Sequence, residues 1–139
     1  MDIYTKTILR FASNIPNAER LKSPDVSVTK RTAVCGSSMT VDLNIKNGKI
    51  EKIGLDIKAC ALGQASASIF AKNAVGLTLE EVQNLKNELI GFLKTGDFQI
   101  KKPFDDYQYL DPARSVPYRH DSILLVLDST EEALNKWIQ

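Results

Sequence analysis

The clearest pattern in the chain is an alternation of apolar and polar residues on both sides of an Asn-Gly pair. Apolar residues occupy every second position of 39–45 and of 53–57. Alternation with a period of two is typical of strands with one buried face. Asn47-Gly48 lies between the two runs and supplies the positive φ angles that a tight hairpin turn requires. The pattern predicts a β-hairpin, preceded by an extended segment over 24–34 that is rich in β-branched residues.

Helical spacing of apolar residues predicts the elements on either side of this hairpin. A short N-terminal helix is expected to end at Pro16, and a helix rich in Ala and Ser follows Cys60. We expect that second helix to stop at Gly76, since glycine commonly ends helices. Thr78-x-x-Glu81 then matches a capping box at the start of a third helix.

The C-terminal third of the chain carries two different patterns. Residues 95–119 are polar, aromatic and interrupted by three prolines, which predicts a loop or short helical turns. The apolar run 123–127 fits a buried strand or a buried helix equally well by periodicity alone. Because 133–138 has helical spacing, we favour one C-terminal helix throughout.

Length, composition and charge narrow the class of protein. A chain of 139 residues with 43% hydrophobic content is long enough for one domain, 1–139, with its own core. The net charge is +1 and no run of five like charges occurs, so neither nucleic acid nor membrane is the expected partner. Residues 1–10 lack the apolar stretch of a secretory signal, and 123–127 is too short to span a bilayer. We expect a cytoplasmic protein.

The two cysteines flank the predicted hairpin. Cys35 precedes its first strand and Cys60 follows its second, so antiparallel pairing is expected to bring both thiols together. Cys60 also opens a helix, where unpaired N–H groups and the positive end of the helix dipole favour a thiolate. The alternative is that both thiols are merely buried or tolerated. Ser66 and Ser68 do not indicate a hydrolase, because the chain has only one histidine and no second one to serve as a triad base.

Several features in this order resemble the IscU/NifU N-terminal family of iron-sulfur cluster assembly scaffolds. They are Cys35-Gly36, the hairpin with its Asn-Gly turn, Cys60 ahead of an Ala-Ser-Ala-Ser stretch, and His120 ahead of an apolar helix. The resemblance implies an α+β fold with a small antiparallel sheet of about three strands and helices packed on one face. It implies a transient iron-sulfur cluster on Cys35 and Cys60, with His120 beside the position of a third cysteine.

The same resemblance implies partners rather than a catalysed reaction. Family members receive sulfur from a cysteine desulfurase and pass a cluster to recipient apoproteins, so the protein is not expected to be an enzyme. Residues 116–119 replace the stretch by which family members recognise a chaperone, so a chaperone partner is not expected here.

The chain departs from the family pattern at two positions of the expected site. Ser37 stands where the family has an aspartate after its Cys-Gly pair. The third cysteine is absent, and Asp121 takes its place, or Ser122 if the alignment slips by one residue. Cys35, Cys60, His120 and Asp121 still offer donors that Zn²⁺ and Fe²⁺ accept, although a carboxylate is a harder ligand than a thiolate.

Simpler roles for these last two residues stay open. His120 is also explained as a surface imidazole beside the last helix, and Asp121 as its N-cap. A second copy of the chain, in a homodimer, offers another source for the missing ligand.

Three functions are compatible with this set of residues. The first is an iron-sulfur cluster scaffold or carrier, which needs several ligands on one exposed face. The second is a sulfur acceptor, which needs one exposed reactive thiol to carry a persulfide. The third is a regulatory partner of a cysteine desulfurase that holds no cluster.

Overall fold

Three antiparallel strands and four α-helices make up the part of the chain that the structure describes. The computed structural model describes residues 3–33 and 36–138. The elements are, in order, α1 (Lys6–Ser13), β1 (Val26–Arg31), β2 (Ser38–Lys46), β3 (Lys49–Lys58), α2 (Ala61–Ala71), α3 (Leu79–Thr95), two 3-10 segments (Asp105–Ser115 and Pro117–Arg119) and α4 (His120–Ile138). The expected α+β class with a three-stranded sheet is confirmed.

The predicted hairpin is formed by β2 and β3. The strand order is β1-β2-β3, and all neighbours are antiparallel. Asn47 and Gly48 have φ angles of 55° and 74°, which fit a hairpin turn with two left-handed residues. At the open end, Ser38 pairs with Lys58, so the first residue of β2 lies beside the last residue of β3.

One face of the sheet is covered by helices. The inward positions of β2 are occupied by Met39, Val41 and Leu43, each at most 1% exposed. Helix α4 packs against β1 and β2, and it also contacts α2 and α3. Helix α4 is therefore held against both the sheet and α2.

The opposite face of the sheet contains a buried carboxylate, Asp42. The alternation of apolar and polar residues predicts this position on the solvent-exposed face. Asp42 is fully buried because residues 17–21 cross over this part of the sheet. Its carboxylate accepts hydrogen bonds from Arg20 Nε at 2.6 Å, from the Leu21 N–H at 3.0 Å and from the Ser27 hydroxyl. Burial alone raises the pKa of Asp42, but these hydrogen bonds outweigh it, and the pKa lies below its ordinary value.

A glycine makes room for this crossing segment. Gly54 pairs with Asp42 across β2 and β3, and a Cβ at Gly54 would lie 2.5 Å from the Glu19 carbonyl oxygen. Any side chain there would push the segment off the sheet. The prediction that only one face of the hairpin is buried is therefore wrong at Asp42 and Gly54, because a segment outside the hairpin covers the second face there.

The helix boundaries confirm one prediction and correct another. The capping box is present, since the Thr78 hydroxyl accepts from the Glu81 N–H and the Glu81 carboxylate accepts from the Thr78 N–H. Helix α2 ends at Ala71, five residues before the predicted stop at Gly76. Gly76 instead donates its N–H to the Ile50 carbonyl at 2.8 Å, with φ of 97°. The chain must leave the helix earlier to reach this contact with β3.

The C-terminal third follows the expected pattern. The proline-containing stretch forms the two 3-10 segments, and 123–127 belongs to α4 rather than to a strand. Ile123, Leu125, Val126 and Leu127 are at most 2% exposed. Within 3–33 and 36–138, no helix combines the length and apolar content that a bilayer crossing requires.

Candidate functional site

Cys60 lies at the N-cap position of α2, as predicted. Its backbone is extended, with φ of −65° and ψ of 170°, and its thiol makes no capping hydrogen bond. The backbone is held by the Gln64 N–H, which donates to the Cys60 carbonyl at 3.0 Å. The side chain is half-buried, and its sulfur has no disulfide partner within 3–33 and 36–138. A thiol here lies next to the unpaired N–H groups of the first helical turn, and the residue also packs against the hydrophobic core.

His120 is the first residue of α4, and its ring is oriented by a hydrogen bond. Nε2 lies 2.9 Å from the Ala113 carbonyl oxygen. A carbonyl can only accept, so Nε2 donates in this bond, and Nδ1 is the ring nitrogen that remains to bind a ligand. Imidazoles that bind metals commonly have their other ring nitrogen fixed in this way. The bond orients the ring and fits both a ligand and an imidazole that only flanks the helix, so the role of His120 as a ligand stays a prediction.

The two candidates for the missing third thiol differ in their surroundings. Asp121 lies inside the first turn of α4, not at its N-cap, because the helix begins at His120 directly after the preceding 3-10 segment. Its side chain is exposed. Ser122 is fully buried, and its hydroxyl is bonded to Ser37. Asp121 is therefore the more accessible donor of the two.

The base of the loop that leads into β2 is closed by hydrogen bonds. The Thr32 N–H donates to the Ser37 carbonyl at 2.8 Å, and the Ser37 N–H donates to the Thr32 hydroxyl at 3.1 Å. Ser37 Oγ lies 2.9 Å from Ser122 Oγ, and both residues are at most 2% exposed. Cys35 falls between these anchors in the sequence but lies outside the described residues, so its predicted position and role stay a prediction.

A close approach joins the starts of α2 and α4. A Cβ on Gly63 would lie 3.1 Å from the Ser122 carbonyl oxygen and 2.9 Å from the Ala59 Cβ. One helical turn further on, the buried Ser66 hydroxyl donates to the Ile123 carbonyl at 2.6 Å. This hydroxyl has a packing role, in agreement with the argument against a serine nucleophile.

Ser122, in the first turn of α4, thus contacts the two other segments that carry predicted ligands, the loop before β2 and the start of α2. It contacts the loop base through Ser37 and the start of α2 through Gly63. Gly63 follows Cys60 by three residues, and Ser122 follows His120 by two. Sequence reasoning missed the roles of Ser122 and Gly63. A glycine within an Ala-Ser helix was a signal for close packing, whereas nothing in the sequence singles out Ser122 as a contact point.

The donors that the structure describes do not close around a metal on their own. Within 3–33 and 36–138, no group of three or more His, Cys, Asp or Glu residues could hold a metal ion. Cys60, His120 and Asp121 are therefore not grouped as a metal site among the described residues, and their convergence with Cys35 on iron or zinc stays a prediction.

Comparison with known proteins gives consistent matches over most of the chain. Residues 3–96 match the family model described as the NifU-like N terminal domain. The chain is 23% identical over 134 residues to the iron-sulfur cluster assembly scaffold protein IscU of Thermotoga maritima, covering 96% of this chain and 94% of that protein.

Solved structures agree with these matches. The crystal structure of a nitrogen-fixing NifU-like protein (N-terminal) from Brucella abortus has a TM-score of 0.92 at 34% identity, covering 98% of this chain and 94% of that one. A putative iron-sulfur cluster assembly scaffold protein for the SUF system from Fervidobacterium islandicum has a TM-score of 0.82, covering 95% and 96% of the two chains. Its 19% identity makes it a likeness of fold alone.

Proposed function

Because this chain belongs to the family of NifU-like N-terminal domains, we propose that it is an iron-sulfur cluster assembly scaffold or carrier. The observation that carries the proposal is the convergence at Ser122 of the loop base, the start of α2 and the start of α4. The cluster is cargo, bound transiently and handed on. The protein itself binds and releases and is not an enzyme.

Each proposed ligand has a distinct part in holding this cargo. Cys35 and Cys60 supply thiolates, the soft donors that iron-sulfur clusters require. His120 supplies Nδ1, because its Nε2 is engaged by Ala113. Asp121 supplies a carboxylate from the exposed side of α4. The same donors accept a Zn²⁺ or Fe²⁺ ion before a cluster is built.

An incomplete set of thiolates suits a protein that must give up its cargo. A carboxylate binds iron-sulfur clusters less firmly than a thiolate, so the cluster stays labile at Asp121. A second copy of the chain is an alternative source of the missing ligand. Sulfur comes from a cysteine desulfurase and the clusters go to recipient apoproteins in the cytoplasm.

A second candidate function is persulfide transfer without a cluster. It is favoured by the half-buried thiol of Cys60, which has no disulfide partner within 3–33 and 36–138, and by the lack of a grouped metal site in the same ranges. In this step the Cys60 thiolate attacks the outer sulfur of the desulfurase persulfide. The new S–S bond forms on Cys60, the desulfurase thiolate leaves, and no external oxidant or reductant is needed.

Anaerobic reconstitution separates the two functions. The protein is incubated with Fe²⁺, cysteine and a catalytic amount of a cysteine desulfurase, then desalted. A scaffold is expected to show visible charge-transfer absorption with bound iron and sulfide, both lost in Cys60→Ala and retained in the exposed control Ser115→Ala. A gain of one sulfur in mass on Cys60 without iron supports the second function. Desulfurase binding with neither result contradicts both and leaves a regulatory role.

A further inference from the structure

A groove lies beside His120, between the C-terminal half of α3 and the start of α4. Its volume is about 520 Å³, within the size range of ligand-binding clefts. Its apolar lining consists of Ile90, Leu93, Pro117 and Leu124, and its polar lining consists of Lys94, Arg114, His120 and Asp121. The groove therefore combines an apolar surface with charged groups and reaches one of the proposed cluster ligands.

Packing holds one of the two cations of the groove in place. The Arg114 guanidinium lies against Gly96, where a Cβ would come within 2.6 Å of Cζ. Gly96 is the left-handed residue that ends α3, with φ of 82°. The guanidinium also lies over the Phe92 ring, 6.0 Å from its centroid. Arg114 is thus positioned by its neighbours before any ligand arrives.

The positive charge of Arg114 is poorly neutralised by the described residues. Its ion pair is a 3.4 Å contact from Nη1 to Asp111, whose side chain is 62% exposed, and exposed pairs of this kind contribute little. Arg114 Nε is buried and has no hydrogen-bond partner within 3–33 and 36–138. Lys94 makes no ion pair with any residue of those ranges. Asp121 is the one acidic side chain that lines the groove, so positive charge is in excess.

We infer that this groove is the docking site for a partner segment in which acidic residues flank bulky apolar ones. The apolar lining accepts the bulky side chain, which gives most of the binding energy in such pockets. Lys94 and Arg114 select acidic neighbours by charge complementarity. A segment bound here lies against His120, so a docked partner is placed next to the proposed cluster ligands. The inference goes beyond the scaffold function, because docking requires neither iron nor sulfide.

The test uses the metal-free protein and the chain's one histidine as a reporter. The probe is a short synthetic fluorescein-labelled peptide in which glutamates flank two leucines. Fluorescence anisotropy measures binding of the peptide. The imidazole NMR signals of His120 report whether the peptide binds in the groove. We expect saturable binding that shifts these signals. Lys94→Glu and Arg114→Gln are each expected to weaken it about fivefold or more. Lys52→Glu, an exposed control on β3, should leave the affinity unchanged.

Three results would overturn the inference. The first is equal binding of a peptide with lysines in place of the glutamates, because charge would then not be recognised. The second is binding that leaves the His120 signals unmoved, because the peptide would then lie elsewhere. The third is a shift of those signals on concentrating the protein without peptide, which would make a second copy of the chain the occupant. Failure of cluster reconstitution affects none of these readouts.

Discussion

Replacing Ser122 with alanine removes the hydroxyl that joins the loop base to the start of α4. Ser122 Oγ and Ser37 Oγ are 2.9 Å apart, and the two residues are 0% and 2% exposed. Alanine keeps the carbonyl oxygen and the Cβ that pack against Gly63. The substitution therefore changes the hydrogen bond and leaves the contact between the two helices in place.

The expected loss follows from the burial of both hydroxyls. In Ser122→Ala, the Ser37 hydroxyl loses its side-chain partner and has no access to water, which costs about 1–3 kcal/mol of unfolding free energy. Ser37→Ala has the same effect on Ser122. The double variant leaves neither hydroxyl unpaired, so its loss should be smaller than the sum of the two by about 1 kcal/mol.

Urea unfolding of the four proteins measures this coupling, with equal m-values as the check that the same surface unfolds in each. Each single variant is also expected to lose a reconstituted cluster faster than the parent, because the loop that contains Cys35 is no longer tied to the helix that contains His120. Purely additive losses in stability, or unchanged cluster lifetimes, would show that the Ser37–Ser122 bond does not hold the site together.

Three further variants test other parts of the structure. Because the pKa of Asp42 is lowered in the folded protein, its stabilisation is complete above an unfolded value of about 3.9 and is lost as the pH falls below it. Asp42→Asn should be less stable than the parent protein at neutral pH by about 2 kcal/mol, and this difference in stability should become smaller in acid. A difference in urea midpoints that stays constant with pH would contradict this. Gly63→Ala should destabilise the protein by about 1–3 kcal/mol, because the added methyl group overpacks the contact with Ser122. Gly91→Ala, where an added Cβ would meet open space, should stabilise the protein by up to about 1 kcal/mol. Similar thermal shifts in the two variants would refute the close approach at Gly63. Asp121→Cys should raise the iron and sulfide bound after reconstitution. The exposed control Glu51→Cys, on β3 near the hairpin turn, should not, and equal occupancy in both would remove Asp121 from the site.

Local interactions explain why much of the fold could be predicted from the sequence. The Asn47-Gly48 turn and the Thr78–Glu81 capping box each depend on residues a few positions apart, and both are present. The end of α2 was misplaced at Gly76, because that glycine serves a contact with Ile50 in β3. The burial of Asp42 was also missed, since it depends on a separate segment folding over the sheet.

The candidate site shows the same division between local and long-range features. The hairpin register pairs Ser38, three residues after Cys35 in the sequence, with Lys58, two residues before Cys60, and this pairing followed from the alternation pattern. The contact between Ser37 and Ser122 joins residues 85 positions apart and depends on how α4 packs. The bond that fixes His120 comes from Ala113, in a 3-10 segment whose path no periodicity predicts.

The central claim is that the chain brings two sulfur donors and one imidazole to a single metal. X-ray absorption at the zinc edge, on protein purified without oxygen and loaded with one Zn²⁺, measures this ligand set directly. We expect two sulfur ligands at about 2.3 Å and a nitrogen at about 2.0 Å. The imidazole signal should disappear in His120→Ala, and one sulfur should disappear in Cys60→Ala. A first shell of oxygen and nitrogen alone, unchanged by either substitution, would contradict the account.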